Sequence, residues 1–339
     1  MSVKPFKELQ QLEAIIKRLG SRAHVEVVEQ IGHHGQEFPI YCIQMGSMAE
    51  NVPVLGFFGG IHGLEKIGSE VLLAYLHTIV NLLEWDGDFN RRLETSRLIL
   101  MPIINPVGVY YGTRSNGNGV DLMRNAPINS EASIKKLYSG QRLSSRLPWF
   151  SGDAAFMEKE SAALCQVIRR YFFGAPLSIA VDLHSGFGLH DRLWFPYASS
   201  RKPIPTLAEV FAWKQLFDRC YPHHFYKIEP MSQEYVINGD LWDYLYDEYI
   251  KNHAANRLFI PLTLEMGSWL WLRKNPLNLF QRYGWFHPLS PHRQQRILRR
   301  HFTLFDFIYR SLLYPEKWAH LRDVEKHQLM LEAQALWYV

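Results

Sequence analysis

Residues 52–65, VPVLGFFGGIHGLE, decide how the chain is read. The apolar run from Val52 to Phe58 ends in a glycine turn that presents His62 and Glu65 three positions apart. A short apolar run closed by glycine reads as a buried strand. An imidazole and a carboxylate delivered just past such a strand can converge on one metal ion and leave room for a third protein ligand and a water. A His and an acid at this spacing also arise by chance, so the pair alone decides nothing.

The third ligand is expected from a different strand end, because ligands close in sequence surround a tetrahedral ion only with strain. The stretch LSIAVDLHSGFG offers one: Leu177 to Leu183 read as a strand between Pro176 and Gly186, with His184 at its carboxyl end. His, Glu and His form a ligand set used by zinc peptidases. The plainer reading of His184 is a strand-end histidine bonded to neighbouring backbone. Between the two segments lies INPVGVYYGTRSNGNGVDLMRNAP, a glycine-rich stretch following the apolar strand Leu98 to Ile104. Long loops in compact domains are usually functional. This one carries Arg114 and Arg124, whose planar forks suit a carboxylate, and Asp121, which could hold the free ring N–H of a metal-bound histidine.

Working outward, extended runs are expected near His24 to Gln30 and Pro39 to Gln44. Apolar strands follow at Val52 to Phe58, Arg97 to Ile104, Leu177 to Leu183 and Leu258 to Glu265. Helical stretches such as Ile67 to Leu83 and Glu158 to Phe172 separate them, and Pro291 to Tyr309 and Asp323 to Leu336 again read helical. The alternation implies an α/β fold: one doubly wound domain with a mixed, largely parallel sheet covered by helices on both faces. Residues 1–50 would supply an amino-terminal helix and the first strands, residues 51–290 the catalytic core, and residues 291–339 helices packed on it.

With 339 residues, 47% hydrophobic and 14% aromatic, the chain can bury a substantial core. The net charge is +4, and the pairs Arg91-Arg92, Arg169-Arg170 and Arg299-Arg300 are scattered, so no nucleic-acid stripe is expected. Apolar residues at Phe6, Leu9, Leu12, Ile15, Ile16 and Leu19 make the amino terminus an amphipathic helix and not a signal peptide. No apolar run approaches the ~18 residues of a membrane span. Cys42, Cys165 and Cys220 fall within apolar patterns and read as reduced core residues, which points to a cytoplasmic protein.

In their order, these motifs resemble the zinc carboxypeptidase family, the carboxypeptidase A-like metallopeptidases, from about Gly56 to Gly267. The block Asn105 to Asn125 looks like the family's Asn-Pro, Arg and Asp-Leu-x-Arg-Asn segments, and FSGDAAFMEKESAAL (Phe150 to Leu164) looks like the segment before its next helix. YVINGDLWDY is similar to the family's tyrosine-glycine-aspartate segment, and LTLEMG to the strand that bears its catalytic acid. The resemblance implies one zinc ion held by His62, Glu65 and His184, with Asp121 behind the first histidine. It implies Glu265 as catalytic carboxylate, activating the zinc-bound water, and Arg114 as stabiliser of the tetrahedral oxyanion. Arg124 and the mobile Tyr235 would hold the substrate, with Gly239 and Asp243 at matching positions and Trp242 at the base of the specificity pocket.

Two departures stand out. Met123 replaces the family's asparagine before the second arginine, removing one donor for a terminal carboxylate, and an indole at Trp242 argues against an acidic pocket base that would select Lys or Arg. The expected function is release of a C-terminal residue from a peptide or amide substrate bearing a carboxylate, with no nucleic-acid or membrane partner. An amidase or deacylase of the same fold, acting on cell-wall-derived peptides or N-acyl amino acids, is the alternative. A catalytically silent zinc- or peptide-binding module is a third reading, against which the presence of Glu265 and Arg114 speaks. His and carboxylate ligands accept other divalent metals as well.

Overall fold

The computed structural model describes residues 5–128, 137–186, 188–252, 257–268, 286 and 290–338. After helix α1 (Lys7–Leu19), strands β1 (His24–His33) and β2 (Gln36–Gly46) form an antiparallel pair, joined by a turn in which Gly35 has positive φ. Then follow β3 (Val54–Gly59), α2 (Lys66–Trp85), α3 (Gly87–Glu94), β4 (Arg97–Met101) and the short α4 (Pro106–Tyr111). The second half comprises α5 (Lys159–Tyr171), β5 (Leu177–Gly186), β6 (Arg192–Phe195), α6 (Leu207–Cys220), β7 (Lys227–Pro230), α7 (Leu241–Asn252) and β8 (Leu258–Gly267). It ends in α8 (Pro291–Arg300), α9 (Phe302–Leu313) and α10 (Asp323–Trp337).

The strands form one eight-stranded sheet in the order β1-β2-β4-β3-β5-β8-β6-β7. The centre, β4-β3-β5-β8, is parallel, while β1, β2 and β6 enter antiparallel to a neighbour. Parallel central strands need both faces covered, which is why β3 and β5 are buried along their whole length. Successive residues of a strand point to opposite faces. Phe57 meets Tyr75 of α2 and Phe305 of α9, while Phe58 meets Phe172 beyond α5 and Trp242 of α7. The two helix layers therefore lie on opposite sides of β3. From β3 the chain crosses to β4 on one side and later to β5 on the other, so the carboxyl ends of β3 and β5 flank the point at which the strand order reverses. Open α/β sheets bind ligands outside such a point.

The expected stretch Pro291 to Tyr309 is two helices, α8 and α9, that meet at His301. Its imidazole is fully buried and accepts or donates through Nδ1 to the Tyr226 hydroxyl at 2.9 Å. Cys220 is exposed and not in the core as expected, because it ends α6 on the solvent side, whereas Cys42 and Cys165 are buried thiols. No helix among the described residues is long and apolar enough to cross a membrane.

Helix α8 docks on α2 through Gln294, whose side-chain amide donates to Glu70 Oε2 at 2.7 Å. Burial pushes the Glu70 carboxyl up from 4.5 to about 7, with the Gln294 bond opposing it. Between those values the folded state holds a proton that the unfolded chain has released, so stability falls as pH rises through that window, by up to about 3 kcal/mol. Glu70→Gln is expected to match the parent near pH 4 and to exceed it at pH 8, measured by urea unfolding; an unchanged difference across pH counts against this reading.

Candidate metal centre

The turn after β3 brings His62 to the sheet's carboxyl edge by a close backbone approach. A Cβ on Gly63 would meet the Gly108 carbonyl carbon at 1.8 Å, so the turn can lie on α4 only with glycine there. Asn105 fixes both partners: its side-chain oxygen accepts from Gly108 N at 2.8 Å, capping α4, and its amide donates to the Ile61 carbonyl at 3.1 Å. Strand register supplies the rest. His184 of β5 stands directly opposite Glu265 of β8.

His62, Glu65 and His184 are buried, and one ligand atom from each lies within 4.8 Å of the others. His62 Nε2 stands 3.0 Å from Asp121 Oδ1, and its Nδ1 is 2.9 Å from Glu65 Oε1 yet makes no hydrogen bond. His184 Nε2 stands 2.8 Å from Asp182 Oδ2, and its Nδ1 is 3.2 Å from Glu65 Oε2. Each ring thus turns Nε2 to a carboxylate and Nδ1 towards Glu65. With the ring N–H committed to the rear carboxylate, a neutral imidazole presents a lone pair at Nδ1. Two lone pairs facing one carboxylate call for a cation between them, and nitrogen, oxygen and nitrogen donors suit zinc.

The electrostatics draw positive charge to the same cluster. Burial opposes charge on Glu65, but His62 and then His184 hold its carboxyl well below the usual range. Burial likewise opposes charge on His184, but Asp182 and Glu65 outweigh it and hold the imidazole well above its usual range. Asp121 is kept ionised against its burial by Arg114, Arg124 and His62. Arg114 donates through Nη1 to Glu65 at 3.0 Å and through Nε to Asp121 Oδ2 at 2.9 Å. Arg124 donates through Nη1 to the same Asp121 oxygen at 2.9 Å and through Nε to the Tyr138 carbonyl at 3.0 Å.

These groups open on a cavity of about 410 Å³ lined by His62, Glu65, His184, Arg114, Arg124, Tyr235 and Glu265 together with Met123 and Asp240. Burial, and then the charge of Glu65, push the Glu265 carboxyl up to about 8. Tyr235 also lines the cavity, edge-on to Tyr138 and Trp194.

The family model described as zinc carboxypeptidase matches residues 12–268. The chain belongs to the zinc carboxypeptidase family. Within that family, carboxypeptidase SOL1 of Arabidopsis thaliana is 29% identical over 280 residues, 80% of this chain and 52% of that protein. The carboxypeptidase N catalytic chain of Rattus norvegicus is 28% identical over 224 residues, 56% of this chain and 46% of that one. The chain therefore spans about half the length of these curated relatives. The solved structure of bovine thrombin-activatable fibrinolysis inhibitor in complex with tick carboxypeptidase inhibitor is similar in fold, with a TM-score of 0.66 at 18% identity, covering 93% of this chain and 98% of that one.

Two expected substrate residues lie elsewhere. Trp242 is buried, packs on Phe58 and donates through Nε1 to Asp182 Oδ2 at 2.9 Å, so it is not among the residues lining the cavity. Asp243 is also buried, and its carboxylate is taken up by the Ala198 and Ser199 N–H groups and the Ser199 hydroxyl. The acid of this segment that lines the cavity is Asp240, whose Oδ1 accepts from Trp242 N and Asp243 N at 2.9 Å at the start of α7. Nothing local in the sequence sets the direction of Asp240, and no motif marks it. Asp182 is marked only by its place two residues before His184, which puts it on that histidine's face of the strand.

Proposed function

We propose that the chain is a zinc-dependent metallocarboxypeptidase that hydrolyses the amide bond of a C-terminal residue. The observation carrying this reading is the buried His62, Glu65 and His184 cluster opening, beside Glu265 and two arginines, into one cavity. A single zinc ion held there would supply Lewis acidity and a water whose pKa falls towards about 7. The charge of a zinc ion there would favour the ionised form of Glu265, against the burial and the Glu65 charge that raise its carboxyl, and as a carboxylate Glu265 accepts the water's proton and returns it to the leaving amine. Arg114 stabilises the oxyanion, and Asp121 keeps the His62 ring oriented. Arg124, with Nη1 and Nε already committed, offers its remaining donors to the substrate carboxylate, and Tyr235 closes over it.

Asp240 bears on the side chain accepted. Asp240 lines the cavity with Oδ1 already held by two backbone N–H groups; burial, and then the neighbouring Asp243, favour its neutral form, and a cationic side chain brought beside it would stabilise the ionised form instead. We therefore favour C-terminal Arg or Lys over Phe, opposite to what an indole at the pocket base implied. The free thiols fit a cytoplasmic location.

The test combines metal analysis with a peptide panel. One zinc per chain is expected in the wild type and a substoichiometric amount in His184→Ala. Free-acid peptides ending in Arg should be cleaved faster than those ending in Phe, with the ratio collapsing in Asp240→Asn. Full zinc in His184→Ala would sink the ligand assignment, and equal turnover of C-terminally amidated and free-acid peptides would sink exopeptidase action in favour of an internal amidase.

A further inference from the structure

We propose that Asp182 and Trp242 form a hydrogen-bonded relay that sets the tautomer and orientation of His184 and thereby its strength as a metal ligand; this rests on the zinc reading above. Asp182 lies in the middle of β5, paired with Phe58 of β3 and Thr263 of β8, and is fully buried. A carboxylate in an apolar strand is costly unless it is satisfied. Its Oδ2 receives two groups: His184 Nε2 at 2.8 Å and Trp242 Nε1 at 2.9 Å.

The indole is a donor only, which makes Oδ2 an acceptor in that contact. An imidazole reaching the same acceptor does so with its N–H, so in the neutral ring that a metal requires the proton sits on Nε2 and the lone pair on Nδ1, on the side of Glu65. Without Asp182 the ring is free to rotate or to carry its proton on Nδ1, where it cannot bind a cation. Asp121 serves His62 in the same way at 3.0 Å, so both histidines of the centre have a carboxylate behind them. The two carboxylates differ in support: Asp121 is held by two arginines, Asp182 by one indole.

Trp242 itself is fixed from two sides. Its ring packs on Phe58, and its backbone N–H donates to Asp240. The other oxygen of Asp182 is buried without a hydrogen-bond partner among the described residues. A half-satisfied buried carboxylate does not serve stability, since neutral replacements of such groups are often tolerated or stabilising. What Oδ2 does accounts for its place here.

The experiment measures the zinc dissociation constant by chelator competition, and thermal unfolding of the metal-free protein, for Asp182→Ala, Asp182→Asn, Trp242→Phe and the double variant Asp182→Ala with Trp242→Phe. Asp182→Ala is expected to weaken zinc binding about 10- to 100-fold, the usual effect of losing such a partner. Asp182→Asn and Trp242→Phe should each show a smaller loss, with the metal-free unfolding temperature of Asp182→Asn unchanged or raised. Because Trp242 acts through Asp182, the double variant should bind zinc no more weakly than Asp182→Ala. If Asp182→Ala folds poorly, the Asn and Phe variants carry the same comparison. Wild-type affinity in the Asp182 variants, or losses that simply add, would overturn the relay. His184→Ala separates the two failures: full zinc retention there overturns the ligand assignment and the relay together, whereas zinc lost in His184→Ala but unaffected in the Asp182 variants overturns the relay alone.

Discussion

Glu265→Gln is expected to lower hydrolysis by about 100- to 10,000-fold, the range for removing a positioned proton acceptor, while the protein keeps its zinc and its fold. The substitution preserves shape and replaces a group that can take a proton by an amide that cannot. Glu265 stands opposite His184 across the β5–β8 pair but is not part of the cluster whose ligand atoms converge, so metal binding is expected to survive its replacement. A carboxylate at this strand end also has room for its side chain: a Cβ on Gly186, beside it, would lie 2.3 Å from Glu265 Oε1. Turnover numbers with a free-acid peptide, beside zinc content on the same preparation, decide the role. Turnover close to the parent would reject the proton-transfer assignment, and zinc lost in step with activity would make Glu265 a ligand.

What could be read from the sequence follows from how directly chain order fixes direction. His184 and Glu265 end apolar strands, and in a parallel sheet adjacent strand ends come together, so placing the strands placed the residues. His62 and Glu65 follow by the turn after β3. Trp242 had no such constraint. It lies on α7, and whether its ring faces the cavity or the sheet depends on how that helix rests against β3, which packing with Phe58 determines. Asp240, two residues earlier, precedes the helix and reaches the cavity instead. Strand ends were displaced by only a few residues for a related reason: β5 continues through His184 to Gly186 because β8 pairs with it that far, and pairing leaves no mark in a single strand's sequence. The separation of α8 from α9 at His301 was equally silent, since that histidine interrupts neither the polarity pattern nor the helix propensity strongly.

Arg114→Ala should lower kcat by about 100- to 1000-fold with little change in KM, the cost of removing one donor from a developing oxyanion. Its guanidinium bridges Glu65 and Asp121, and 26% of its side chain remains exposed at the cavity, so one edge is anchored while another can face a reacting carbonyl. Anchoring on both carboxylates keeps that edge in position before substrate arrives, and preorganised donors stabilise a transition state without the reorganisation that water would require. Metal binding should survive the change. Asp121 remains paired with Arg124 and His62, and withdrawing a cation from beside Glu65 leaves the site more negative and no less attractive to zinc. Arg114→Lys should recover part of the rate, since an ammonium restores the charge without the two-point anchor. Steady-state kinetics and zinc content of both variants distinguish the possibilities. A loss confined to KM would move Arg114 to ground-state substrate binding, and zinc lost together with activity would show that its contacts to Glu65 and Asp121 hold the centre's architecture instead.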